Sequence, residues 1–376
     1  MRVLHITSHL NVGGITSYVL SLSKALAERG HRIAIASGGG HMEAQASATG
    51  LTHWRAPLHT KTEFSPQVFW AGRRLEERLR QEPVDLLHAH TRVAQVVADR
   101  LSRRLKIPYV TTWHGFYRPN VGRRLWPCMG KFTIAISEPV RQHLLREFAV
   151  PPERIRLIPH GIDPAPFEAD AEPSQQARLR QAARLSPDGP VIGTVARLVA
   201  SKGIDRLIRS LPMIRASVPG AQLLIVGDGA DRPRLEAAAA ACRVADAVHF
   251  AGTVPDTRAA LSLMRVFVFL PADQEGFGLS LLEAMASARP IVAVRRGSGA
   301  AWVLEESGVG ILVEPDDLAG LAAAAVRFLQ DGEAACRAGG EARAALKQHY
   351  ALSRMVGEVE WVYREALISR PSPGYE

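Results

Sequence analysis

Two glutamates, Glu275 and Glu283, bracket a Gly-Phe-Gly turn in the stretch EGFGLSLLE. In its wider context, VFVFLPADQEGFGLSLLEAMASARPIVAV, an apolar strand ends at Leu270, a loop follows, and a helix is expected from near Gly278 to about Ala288. Glu275 then belongs to a loop at the carboxyl end of a strand, which is where open α/β sheets bind ligands. Glu283 falls inside the helix. Glycines at 276 and 278 let backbone amides come close to an anion, and the start of a helix adds positive partial charge. A carboxylate at Glu283 can accept hydrogen bonds from vicinal hydroxyls, as the acidic partner of a ribose does. The plainer alternative has Glu275 capping the helix and Glu283 solvated on its surface.

A second constellation, GTVARLVASKGIDRLI, delivers Arg197 to the end of a strand and places Lys202 just before a helix. Two cations there suit a diphosphate and could neutralise a departing nucleoside diphosphate, a task a metal ion performs elsewhere. Ordinary surface residues would read the same way. After the first strand, SHLNVGGITSYVL puts Gly13 and Gly14 before a helix, where backbone can approach phosphate or sugar, or merely turn. His114, in TTWHGFY, closes a strand and could bind hydroxyls or carry protons. His88 and His90 sit in an apolar strand and read as structural, and His160 reads as part of a hinge. The metal and nucleotide motifs HExxH, GxxxxGK[ST] and GxGxxG after the first strand are missing, and no two aspartates are spaced one residue apart.

The elements that must carry these groups alternate. Apolar runs at 3–7, 32–37, 85–90, 109–114, 132–137 and 154–159 read as strands separated by helical patterns. One such pattern at 15–29 has Ile15, Val19, Leu22 and Leu26 on one face and Gly30 as its stop. Near-continuous apolar strands with intervening helices indicate a parallel sheet. The pattern restarts with runs at 191–198, 222–228, 248–252, 266–271, 290–294 and 310–315. Residues 163–190, rich in Pro, Ala and charge, read as a linker, and a last helix is expected at about 351–369. Two successive doubly wound domains, 1–165 and 166–350, are the expected organisation.

Composition narrows the classes. At 376 residues, 47% hydrophobic and 22% charged, the chain is an ordinary globular protein. It has no apolar run of membrane-spanning length and no signal-peptide zones at its start. Cys128, Cys242 and Cys336 lie far apart without metal-ligand spacing, which favours a reducing, cytoplasmic setting and no structural zinc. Residues 1–150 carry 21 Lys and Arg against 10 Asp and Glu, whereas 151–376 carry 25 against 27, so the excess positive charge is all in the first part. That asymmetry fits a polyanionic partner such as a membrane surface, or simply an Arg-rich genome. Arg mixed with aromatics at 69–80 and 116–132 has the look of interfacial segments. No nucleic-acid reader motif appears.

The stretches GGITSYVLSLSKALAERGH, TWHG, AISEPVRQHL, IPHGID, GTVARLVASKG, LLIVGDG and EGFGLSLLEAMASARPIVA, in this order, resemble the family 4 glycosyltransferases over nearly the whole chain. The resemblance implies the GT-B architecture: two Rossmann-like doubly wound parallel-sheet domains facing across a cleft, with the last helix crossing back onto the first. It implies retaining, metal-independent transfer of a hexose-type sugar from a nucleotide sugar, UDP- or GDP-linked, to a saccharide or lipid-linked acceptor, with no cofactor. On that pattern Arg197 and Lys202 hold the donor diphosphate and Glu283 the ribose. Glu275 contacts the transferred sugar with backbone groups of Gly276, Phe277, Gly278 and Leu279. Gly14 touches the phosphates and His114 meets the sugar. The family usually has Asn where this chain has His160. A sugar-nucleotide epimerase or a silent sugar-nucleotide-binding relative would share the fold, and whether Glu275 forms a covalent adduct or orients the sugar is open at this stage.

Overall fold

The computed structural model describes residues 1–60, 62–63, 65–271, 275–295 and 298–368. The chain divides into two compact units, 1–161 with 352–376, and 162–351.

In the first unit the strands are β1 (Arg2–Ile6), β2 (Arg32–Ser37), β3 (Thr52–Arg55), β4 (Leu86–Ala89), β5 (Tyr109–Trp113), β6 (Phe132–Ala135) and β7 (Ile155–Leu157). They form one parallel sheet in the order β3-β2-β1-β4-β5-β6-β7. The chain winds outward from β1 to β3 and then returns to add β4 on the other side, so the direction of winding reverses between β1 and β4. Apolar residues clothe both faces. One face, with Val3, Leu86 and Val110, packs under the Gly14–Glu28 and Leu352–Ile368 helices through Val19, Leu22, Val356, Val359 and Tyr363. The other, with Leu4, Ile6 and Leu87, is covered by the Pro66–Gln81 and Arg92–Leu105 helices. Gly30, at φ +86°, ends the first helix in the left-handed conformation a glycine adopts without strain.

In the second unit the strands are β8 (Val191–Val195), β9 (Gln222–Val226), β10 (Val248–Gly252), β11 (Val266–Phe269), β12 (Ile291–Val294) and β13 (Ile311–Val313). Their parallel order is β10-β9-β8-β11-β12-β13. The winding reverses again, here between β8 and β11, so each unit is doubly wound as the alternation of elements predicts.

Two segments differ from the sequence expectation. The strand β3 was not anticipated, because at four residues with only Trp54 buried it lacks an apolar run. The segment 163–190 is not a free linker. It holds the Pro173–Ala182 helix, which packs on the Arg258–Leu263 helix, while Ala171, Ala183 and Leu185 are buried in the second unit. The tail 369–376 lies outside the described residues.

Candidate functional site

The loops after β8 and β11 emerge side by side at the point where the second sheet reverses, the position at which open α/β sheets leave a crevice for ligands. Two of the residues singled out in sequence meet there. Lys202 ends a single 3₁₀ turn (Ala200–Lys202), and its Nζ donates to Glu275 Oε2 in a half-buried ion pair. They are 73 residues apart in sequence. Glu275 therefore does not cap the helix that follows. That helix, Leu279–Ala286, begins at Gly278 with no side-chain cap, slightly inside the span expected from sequence.

The backbone around the pair is pinned by close approaches. Gly278 sits at φ +105°, and a Cβ there would lie 2.7 Å from the Phe269 ring. A Cβ on Gly299 would meet the carbonyl oxygen of Gly276, and the Gly299 amide donates to the carbonyl of Glu275 at 2.9 Å. Phe277 is buried, so only its backbone is available to a ligand. On the other side, the Ala196 amide donates to Val226 and the Leu198 amide to Asp228, which zips the β8 loop to the β9 loop. Arg197 lies between those two anchored residues. Its side chain is exposed, with no ion-pair partner among the described residues.

Glu283 has a different partner. Its Oε2 accepts from the Thr257 hydroxyl at 2.9 Å. Burial pushes its carboxyl up to about 7, with the nearby charge of Asp256 adding to the shift and the Thr257 hydrogen bond opposing it. Thr257 and Asp256 gave no sequence signal. A depression of about 650 Å³, lined by Arg180, Arg265, Arg289 and Cys336 among others, lies at the amino end of this sheet, away from these groups.

In the first unit Gly14 opens the first helix, exposed and without a side-chain cap or an acidic residue in the first turn. His114 follows β5, half-buried, but it is not isolated. His90 Nδ1 lies 3.4 Å from His114 Nε2, and His160 Nε2 lies 3.4 Å from His114 Nδ1. Beyond His90, its Nε2 lies 2.9 Å from His5 Nδ1. His88 is bonded instead to Tyr363 Oη at 2.6 Å and Thr112 Oγ1 at 2.7 Å. Burial, and secondarily the neighbouring imidazoles, hold His88, His90 and His114 well below the ordinary histidine range, and burial alone takes His5 and His160 to about 3. All five are therefore neutral at physiological pH.

Sequence reasoning passed over this cluster. The available signal was period two: His88 on β4 and His90 just after its end alternate in sequence, and His88 is register partner to His5. The nitrogens of His5, His88 and His90 lie within 4.8 Å of one another, a spacing a metal ion could occupy. The 2.9 Å gap between His5 and His90, however, is a hydrogen-bond length, and both nitrogens of His88 are bonded to hydroxyls.

Comparison with known proteins agrees with this architecture. A model of the family described as Glycosyltransferase Family 4 matches residues 12–166, and one described as Glycosyl transferases group 1 matches residues 189–331. The chain belongs to the family 4 glycosyltransferases. It is 29% identical to the D-inositol 3-phosphate glycosyltransferase of Acidothermus cellulolyticus, over 96% of this chain and 87% of that one. A glycosyltransferase from Rickettsia africae has the same fold, with a TM-score of 0.88 at 20% identity over 98% of this chain and 99% of that one. Anabaena HepE, solved with UDP-glucose, has a TM-score of 0.82 at 19% identity over 97% of this chain and 100% of its own. The two doubly wound units are those of the GT-B architecture. Among the described residues of this glycosyltransferase, no helix is long and apolar enough to cross a membrane.

Proposed function

We propose that this glycosyltransferase moves a hexose-type sugar from a nucleoside-diphosphate sugar to an acceptor hydroxyl with retention at the anomeric carbon. The observation that carries the reading is the Lys202–Glu275 pair at the reversal of the second sheet, with exposed Arg197 on the neighbouring anchored loop. A diphosphate brings more negative charge than one carboxylate, so it competes for Lys202 and releases Glu275 toward the sugar. Arg197 and Lys202 then stabilise the departing diphosphate, which is the work a metal ion would otherwise do. The bond between the anomeric carbon and the phosphate oxygen breaks while one to the acceptor oxygen forms. The acceptor proton passes to the leaving phosphate oxygen. Glu275 orients the sugar, assisted by the backbone of Gly276, Phe277, Gly278 and Leu279. Glu283 and Thr257 receive the ribose hydroxyls, Gly14 contributes amides at the start of its helix to the phosphates, and His114 meets the sugar.

The UDP-glucose bound to Anabaena HepE supports a UDP-sugar as the first donor to try. The name of the Acidothermus relative supports a phosphorylated polyol as an acceptor to try. A membrane-associated acceptor is favoured by the Pro66–Gln81 helix, whose Phe69 and Trp70 are 42% and 62% exposed beside Arg73, Arg74 and Arg78. The other aromatic-basic stretch is folded inward: Trp126 Nε1 donates to Asp99, Arg123 pairs with Glu63, and Cys128 is buried.

The test is acceptor-dependent release of nucleoside diphosphate from a panel of nucleotide sugars. Glu275→Gln should abolish release while the variant keeps its melting temperature. Near-normal turnover by that variant refutes the assignment.

A further inference from the structure

Thr257 immediately precedes the Arg258–Leu263 helix, the position from which a threonine oxygen ordinarily accepts from an amide of the first turn. Its side chain makes no such bond. The hydroxyl instead reaches across 26 residues of sequence to donate to Glu283 Oε2 at 2.9 Å. The helix is served by the residue before. Asp256 Oδ1 accepts from the Arg258 amide at 2.9 Å, and the Arg258 guanidinium grips the same carboxylate, with Nε 2.8 Å from Oδ2. Arg258 Nη1 also donates to the Pro166 carbonyl at 3.3 Å, which ties this turn to the segment ahead of β8. Hydrogen bonding to Arg258 holds Asp256 below the usual carboxylate range, so Asp256 stays ionised and takes the cap, and the Thr257 hydroxyl is left for Glu283.

A carboxylate only accepts hydrogen bonds, whereas a carboxylic acid turns one of its oxygens into a donor. Two neighbouring hydroxyls of a ribose, both donating, need the first form. Burial works against that form at Glu283, and so does the charge of Asp256, while the Thr257 hydroxyl works for it. The other charges around the helix that carries Glu283 are engaged elsewhere. Arg343, from the Gly332–His349 helix packed on it, donates to the carbonyls of Ala286 and Phe167. Arg289, beyond its end, pairs with Asp170, and Lys202 pairs with Glu275. Among the described residues, Thr257 supplies the one hydrogen bond to the Glu283 side chain, and Oε1 has no partner.

We propose that Thr257 is a positioning residue for donor binding: its hydroxyl fixes Glu283 Oε2 and holds the carboxylate as an acceptor, with Oε1 left for a ribose hydroxyl. The Thr257 oxygen, its hydrogen spent, can itself only accept, so the ribose meets acceptors alone. The ribose contact rests on the role proposed for Glu283 above, whereas the hold on the carboxylate does not.

The test separates the two. Thr257→Val keeps the shape of the side chain and removes the donor, and Thr257→Ser keeps the donor. The Glu283 carboxyl is followed by ¹³C NMR in protein labelled at glutamate Cδ, its signal being the one missing from Glu283→Gln. A hydrogen bond to an ionised group is worth about one on the pH scale. The Glu283 midpoint should rise by about that much in Thr257→Val and return to the wild-type value in Thr257→Ser. Nucleotide affinity is measured by calorimetry with UDP and GDP, following whichever the wild type binds more tightly. In Thr257→Val it should fall about fivefold at about pH 7 but less than about twofold at about pH 9, and Thr257→Ser should restore it. A Glu283 midpoint that stays put in Thr257→Val overturns the proposal. So does an affinity loss equal at both pH values, which is the signature of a merely structural threonine. A midpoint that moves while affinity stays level supports the hold on the carboxylate and overturns instead the contact between Glu283 and ribose. Binding of neither nucleotide by the wild type also overturns that contact, and the midpoint still decides the hold. Should Thr257→Val fail to fold, Thr257→Ala takes its place with the same expected rise.

Discussion

Acid should destabilise the first unit well before its carboxylates protonate. Five imidazoles, those of His5, His88, His90, His114 and His160, are packed there and held neutral by burial. In the unfolded chain each regains a pKa near 6.5, so below that pH the unfolded state binds protons that the native state does not. The native pKa values are lowered, so the stability they contribute is fully present above about pH 6.5. It is lost as pH falls toward the native values. At about pH 5 the loss is about 2 kcal/mol for each group whose native value lies well below that pH. His5 and His160, both at about 3, then give a combined loss of about 4 kcal/mol. The other three shift in the same direction. The figure is insensitive to the native values because at pH 5 only the unfolded chain titrates. A loss of this size is a large part of a domain's usual 5–15 kcal/mol, a range that is about the same across globular proteins.

The shifted carboxylates of the first unit stay out of this window. Glu63, Glu76, Asp85 and Glu360, whose carboxyls are held below their ordinary values of 4.5 or 3.8, lose their contributions only at lower pH. Tryptophan fluorescence follows the right unit, since Trp54, Trp70, Trp113, Trp126 and Trp361 lie in the first and only Trp302 in the second. Urea unfolding between about pH 7.5 and about pH 5 should show a midpoint lower by about 2 M at a slope of about 2 kcal/mol/M. An unchanged midpoint would refute the neutral, buried imidazole cluster.

Glu283 has the opposite sign. Its native pKa is raised to about 7, so its contribution is complete below about 4.5 and is lost as pH rises through 7. Glu283→Gln should therefore stabilise the second unit by about 2–3 kcal/mol at about pH 8.5, read at Trp302, while nucleotide-sugar binding in a thermal-shift titration weakens. Lys202→Met should lower kcat/KM by at least about a hundredfold, measured by nucleoside diphosphate release, because the leaving diphosphate loses a charge partner. Gly278→Ala forces a side chain into the left-handed region against the Phe269 ring and should cost about 1–3 kcal/mol by denaturant unfolding, together with donor affinity. Replacing Phe69 and Trp70 with serine should reduce sedimentation with anionic liposomes at low salt and leave turnover of a soluble acceptor intact.

Both sheets were legible because buried parallel strands are apolar throughout, whatever lies beside them. β3 was not, since an edge strand of THWR needs no apolar run. The Pro173–Ala182 helix buries none of its residues, so it offers no stripe of apolar positions to read. The glutamates and cations stood out by type and by their place at strand ends. That Lys202 and Glu275 touch could not be read, because the contact follows from β11 being laid beside β8, a choice made by the whole sheet. The contacts among the histidines could not be read one residue at a time, because they exist only once β1, β4 and β5 are aligned.

The two units place polar groups at the same topological position and treat them differently, and the difference comes from what covers them. In the second unit the loops after β8 and β11 stay partly open to water, and Lys202 and Glu275 pair with each other there. In the first, the Leu352–Ile368 helix lays Tyr363 against His88, and the Gly14–Glu28 helix lays Tyr18 against His90, His114 and His160. Closed off in this way, imidazoles cannot hold a proton each, and a row of them is stable only if every ring is neutral and every junction has one hydrogen. Neutrality then makes direction matter: charged groups can be met from any side, but a neutral imidazole donates from one nitrogen and accepts at the other. Covering the reversal point of the first sheet thus exchanges charge for orientation.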